Sequence, residues 1–226
     1  MATLIALAML PLAVIVCQLI AFAAMLEPTE SVSPIQYSIY KLAFILPPLW
    51  YCWRNHVGLF RDVFKFRNWR NGLPVAIGLG LVGAAIFLGV YFTVGDLLID
   101  KNAVVEKIDN QFGVNRTTVM LVAPFTVLLN SLLEEFFYRG FSFGLLVRRN
   151  RALGYLLPAV TFTAQHVLFI YHWAPWYSLL IGVVGLFVFA LIVEWLYERY
   201  DTIVAPWVAH GCCDIAMMAI AAMMLS

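Results

Sequence analysis

Residues 119–147 read VMLVAPFTVLLNSLLEEFFYRGFSFGLLV. The run is apolar throughout except near its centre, where Glu134, Glu135 and Arg139 stand together. A spanning helix needs about 20 largely apolar residues. Here the apolar character resumes from Gly140 to Val147 and ends only at Arg148. The stretch therefore reads as one long helix carrying charges within the bilayer, not as a helix that stops in water near Tyr138. Ionisable residues are costly at that depth and mark functional sites by default.

Outward from this helix the chain has the same character. Of its 226 residues, 63% are hydrophobic and 12% are charged, against about 25% charged in a soluble domain. This composition defines an integral, multi-pass membrane protein embedded in a lipid bilayer. Apolar segments at 3–26, 36–53, 73–95, 119–147, 152–171, 175–197 and 203–225 predict an all-α, polytopic membrane helix bundle of about seven transmembrane helices, with six to eight as the range. They are read as one membrane domain over 1–226. The alternating short segments of a β-barrel are missing. No Lys or Arg precedes the first segment, and its length exceeds that of a signal-peptide core, so it reads as a spanning helix. Cys17, Cys52, Cys212 and Cys213 lie in or beside apolar segments and form no metal-binding pair. No basic stripe suggests nucleic acid as a partner.

Lys and Arg in short loops set the orientation. The 54–71 loop carries Arg54, Arg61, Lys65, Arg67 and Arg70, and the next basic turn carries Arg148, Arg149 and Arg151. Both read as cytoplasmic. The 27–35 loop, with Glu27 and Glu30 and no base, and the 96–118 loop, with Asp96, Asp100, Glu106 and Asp109 against Lys101, Lys107 and Arg116, read as external. The N-terminus is then cytoplasmic and the C-terminus external; separately from this charge pattern, a bacterial or archaeal cell membrane is the expected location. The 54–71 stretch also interleaves aromatic residues with its bases, so it reads equally as an interfacial amphipathic helix or as a plain basic loop.

Three polar clusters interrupt the last segments: Glu134-Glu135 with Arg139, Phe162 with Gln165-His166, and His210 with Asp214. Adjacent Glu134 and Glu135 point about 100° apart on a helix. Glu135 and Arg139 are spaced to pair along one face, which leaves Glu134 free for chemistry as a general base or acid. His210 and Asp214 also share a face and can contact one water, or one can orient the other. Taken singly, each cluster has a plain structural explanation as helix-to-helix hydrogen bonding. Depth argues for a joint one. At ~1.5 Å per residue, Glu134 lies roughly 21 Å from Arg148, His166 roughly 22 Å from Arg151 and Asp214 roughly 19 Å from Asp201, with His210 shallower at roughly 13 Å. Lys41, near a helix end, reads as a snorkelling residue. Glu194 likewise reads as reaching the interface. Asn130 reads as a donor beside Glu134, or as helix glue. Gly211 would allow close backbone approach, and Pro124, Pro158 and Pro206 would kink or start their helices.

The ordered triplet EExxxR, FxxxH and HxxxD resembles the CPBP family, the CAAX-protease and bacteriocin-processing (Abi) intramembrane endopeptidases. It covers about residues 118–226, which would be the catalytic part. The resemblance implies Glu134 as the base that activates water, His166 and His210 as binders of that water or of the scissile carbonyl, and Asp214 as an assisting group. Asp214 stands where many members have Asn. Glu135 and Arg139 would hold the geometry. Both a metal-free glutamic and a metalloprotease mechanism are compatible with it. The cofactor is then either none or zinc, held by His166 and His210. The substrate would be a membrane-associated peptide or protein: a CAAX-type C-terminus, a leader peptide or a C-terminal sorting tail. Two alternatives stand beside this reading. One is a proton-coupled transporter, although no inverted repeat is visible. The other is a non-catalytic immunity or scaffold protein.

Overall fold

The computed structural model describes residues 34–170 and 174–226. The first predicted span, the acidic 27–35 loop and Cys17 lie outside the described residues or at their edge. Within them the regular structure is helical: α1 Pro34–Arg54, α2 Trp69–Leu98, α3 Lys101–Phe112, α4 Val119–Leu146, α5 Arg151–Ile170, α6 Trp176–Tyr200 and α7 Val204–Met224. Helices α2, α4, α6 and α7 are long and apolar enough to cross a membrane. The protein is thus an all-α polytopic membrane bundle, and α1 and α5 fall where two further spans are predicted.

The sequence leaves 96–118 as a loop, but the structure forms α3 there. Asp100 accepts hydrogen bonds from the backbone N–H groups of Asn102 and Ala103, both at 3.1 Å. Gly113, with φ +62°, closes the far end. An Asp N-cap and a left-handed Gly after the last turn are standard helix ends. Their signal is masked here by weak apolar periodicity.

Helix α4 is not uniform. Wider π-helical turns run over Phe125–Asn130 and Phe136–Phe143, on either side of Ser131–Glu135. The first follows directly on Pro124, which lacks a backbone donor. Such turns rotate the side chains that follow them and recur at functional sites.

The 54–71 stretch is helical over one short turn and packs partly on the bundle. Residues Leu59–Phe64 form a π-helical turn that folds back under the bundle. Val63 is fully buried, and its carbonyl accepts the Tyr197 hydroxyl at 2.9 Å. A Cβ at Gly140 would lie 2.9 Å from that same carbonyl oxygen, so glycine is needed there. Phe64 stacks on Phe136 at 4.9 Å. Lys65 and Arg67 both pair with Asp201, Lys65 at 2.7 Å. Val63 and Phe64 thus pack on protein, while Phe60, Phe66 and Trp69 stay exposed on the outer side of the segment.

These contacts fix which helix ends lie together. The 59–67 segment, the start of α5 (Arg151–Glu198, 3.0 Å) and the α6–α7 turn share one end. At the other, Tyr177 and Ser178 donate to the carbonyls of Leu97 and Leu98. The two basic loops therefore sit on the same side, as alternating spans require. Helices α2 and α7 approach closely: a Cβ at Gly80 or Gly83 would come within 2.7 Å of Cys212 Cβ or Cys213 Sγ. Gly211 does not serve this purpose, since its nearest neighbour there, the Val127 carbonyl oxygen, is at an ordinary 3.5 Å.

Candidate active site

Four helices deliver polar side chains to one buried point. From α4 come Asn130, Glu134, Glu135 and Arg139; from α5, Gln165 and His166; from α7, His210 and Asp214; and from α1, Lys41. The acceptor at the centre is Glu134, 3% exposed. Its Oε1 receives Asn130 Nδ2 at 3.0 Å, Gln165 Nε2 at 3.4 Å and Lys41 Nζ at 3.4 Å. Its Oε2 has no hydrogen-bond partner among the described residues. It faces His166 Nε2 at 3.6 Å and His210 Nε2 at 4.0 Å.

The imidazole tautomers follow from their other contacts. His166 Nδ1 lies 2.9 Å from the Phe162 carbonyl, which can only accept, so Nδ1 carries the proton. His210 Nδ1 lies 2.7 Å from Glu135 Oε1 and donates to it. Both rings thus turn Nε2 toward Glu134. An outer hydrogen bond that fixes the ring in this way is what orients a histidine that binds water or metal. Aromatic packing holds the same orientation: Phe162 lies 4.2 Å from the His166 ring and 5.9 Å from His210, and Phe189 lies 5.5 Å from His210.

Glu135 and Arg139 pair at 3.2 Å with both side chains fully buried, as their spacing predicts. The Arg139 guanidinium also lies 4.3 Å over the Phe162 ring. Through Glu135 Oε1 this pair reaches His210, so the two adjacent glutamates flank the same imidazole from opposite sides. Asp214 Oδ1 lies 3.6 Å from His210 Nε2, and its Oδ2 has no hydrogen-bond partner among the described residues.

Donor atoms of Glu134, His166 and His210 all lie within 4.8 Å of one another. A tetrahedral site with metal–ligand distances near 2.0–2.1 Å needs only modest contraction of this group. The inward Nε2 lone pairs and the carboxylate therefore fit a zinc ion. They fit a hydrogen-bonded water equally well.

Two predicted placements are corrected. Lys41 does not snorkel: it is 7% exposed and paired with Glu134. Nearby Phe44 packs edge-on against Phe137 and Tyr138, turning that face inward. Glu194 does not reach the interface either. Helix α6 continues to Tyr200 and leaves Glu194 fully buried, within electrostatic reach of Arg139 and Glu135. Tyr138 was not singled out by the sequence. Its hydroxyl donates to Gln165 Oε1, which aims the amide nitrogen of Gln165 at Glu134.

Fold and site together define a polytopic membrane protein with a Glu–His–His centre in which Glu134 and His210 are buried and His166 is half-buried. Residues 116–216 match the sequence model of the Rce1-like family, described as Type II CAAX prenyl endopeptidase Rce1-like. All three motifs fall inside the matched stretch, so the resemblance to the CAAX-protease family is borne out. Helices α1 to α3 lie outside the match. No curated protein and no solved structure matches the chain at a significant level.

Proposed function

We propose that this protein is an intramembrane endopeptidase, CAAX-protease-like, that hydrolyses a peptide bond of a membrane-associated substrate. One observation carries the reading: a buried carboxylate with every donor on one oxygen turns the other toward two inward-facing imidazole nitrogens. Separations of 3.6 and 4.0 Å suit a bridging water rather than direct bonds. Glu134 Oε2 takes the proton of that water as it attacks the scissile carbonyl, and returns it to the leaving amine. His166 Nε2 accepts the water's second hydrogen bond and sets its direction. His210 donates to the developing oxyanion from Nε2 when doubly protonated, with Glu135 and Asp214 supplying the counter-charge. Arg139 holds Glu135 in place.

The inward lone pairs also favour a second reading as a zinc site held by His166, His210 and Glu134. A bound zinc would supply Lewis-acid polarisation. The transporter and scaffold alternatives assign no role to the ordered donors on Glu134. The cytoplasmic N-terminus and the single membrane domain belong to the same proposal.

The decisive experiment is Glu134→Gln in proteoliposomes, offered a farnesylated CAAX peptide, a leader peptide and a sorting-tail peptide. We expect a folded protein with cleavage reduced at least about a hundredfold, the scale of a general base. Retained cleavage removes Glu134 from this role. In the same assay, full activity after exhaustive chelation, with no metal left by elemental analysis, overturns the zinc reading.

A further inference from the structure

We propose that Lys41 is a positioning residue of this site, supplied by a helix outside the family match: its ammonium group pins Glu134 Oε1 so that Oε2 faces the histidines. The assignment rests on the reading of Glu134 as the base.

A lysine inside an apolar helix bundle has to be compensated, and the structure gives the compensation at Glu134 Oε1, 3.4 Å away. Three donors converge on that oxygen. Asn130 reaches it from one turn earlier on the same helix, which fixes little of the carboxylate's rotation about its own axis. Gln165 reaches it from α5 under the control of Tyr138. Lys41 comes from α1 and is the charged donor of the three, so it makes the stronger kind of hydrogen bond. Its own position is fixed by packing. The side chain runs over Phe44, with Nζ 5.1 Å from the ring, and Phe44 is itself wedged against Phe137 and Tyr138 beside Glu134 on α4. Seating α1 against α4 thus delivers the charge to one carboxylate oxygen. The other oxygen is left with no hydrogen-bond partner among the described residues, 3.6 Å from His166.

A lysine that only balanced charge would affect stability and leave turnover alone. The test uses the full chain in proteoliposomes with a fluorophore-quenched farnesylated CAAX peptide, and reads kcat, KM and thermal unfolding separately. We expect Lys41→Met to lower kcat about tenfold or more, the scale of one hydrogen bond to a charged group, with KM within about twofold. Lys41→Arg, which keeps the charge and the donors, should recover a large part of that loss. If Lys41→Met does not fold, Lys41→Gln, a neutral donor, carries the same comparison. Wild-type kcat in Lys41→Met, or a change confined to KM or to unfolding temperature, overturns the assignment while Glu134→Gln remains inactive. Cleavage by Glu134→Gln, or no cleavage by the wild type, instead brings down the base reading and this inference with it.

Discussion

Two ionic clusters built from the same residue types sit at different depths of the bundle. At mid-bundle, Arg139 and Glu135 meet at 3.2 Å with neither side chain exposed. At the basic end, Arg151 and Glu198 meet at 3.0 Å, with 73% and 32% of their side chains exposed. The distances are nearly equal, yet the energetic weight is not. Removing one partner of a buried pair leaves an uncompensated charge away from water, whereas removing one partner of the surface pair exposes the other to solvent that hydrates it. Arg151 therefore trims the end of the bundle. Arg139 keeps Glu135 in place, and Glu135 in turn keeps the His210 proton on Nδ1.

The largest expected effect breaks the buried member. Arg139→Ala should cost about 3–5 kcal/mol, seen as lost expression or a large fall in thermal unfolding temperature. Arg151→Ala should cost no more than about 1 kcal/mol. Comparable losses in the two variants would show that depth does not separate the clusters.

An intermediate effect tests whether buried neutral contacts behave like the buried pair. Tyr138→Phe removes the hydroxyl that orients Gln165 and should cost about 1 kcal/mol. The amide, free to turn, no longer aims its nitrogen at Glu134, so cleavage should fall while substrate affinity holds. Unchanged turnover with lowered stability would restrict Tyr138 to packing.

The site was more legible in the sequence than the way it is held. Spacing along one helix separated Glu134 from Glu135 and paired Glu135 with Arg139, because helical geometry alone decides which neighbours share a face. The shared depth of Glu134, His166 and Asp214 was readable from the rise per residue. Lys41 was misread because its role depends on Phe44 packing against α4, a tertiary fact. Glu194 was misplaced for a related reason: the helix end was set too early by the charges at Glu198 and Arg199. In the 54–71 stretch, aromatic and basic residues are as compatible with lipid as with protein, and only the buried Val63 and the Lys65–Asp201 pair distinguish the two. The α2–α7 contact escaped notice because Gly80 and Gly83 lie on the partner helix, not beside His210.

The smallest effect belongs to Asp201, which pairs with Lys65 and Arg67 at the same end of the bundle as Arg151–Glu198 and can be titrated. Burial would raise its carboxyl pKa, but the hydrogen bond and charge of Lys65, joined by Arg67, outweigh this and hold it below the usual carboxylate value. A group lowered on folding contributes stability above its unfolded pKa, near 3.9, and loses it as pH falls through the folded value. Asp201→Asn is the suitable probe because the residue sits at φ 52°, a left-handed conformation that Asn also tolerates. The substitution then changes the charge and leaves the backbone unstrained. The Asp201 side chain is 39% exposed and partly screened, whereas Lys65 is only 5% exposed; Asn still offers the lysine an acceptor, and the loss at neutral pH should be about 1 kcal/mol. The gap in unfolding temperature between wild type and variant should be constant from neutral pH to about 5 and should close below about 4. A gap that persists in acid would mean that Asp201 acts through its shape rather than its charge. The Asp201 contacts at this end would then hold by packing, as Phe44 and Phe137 do at mid-bundle.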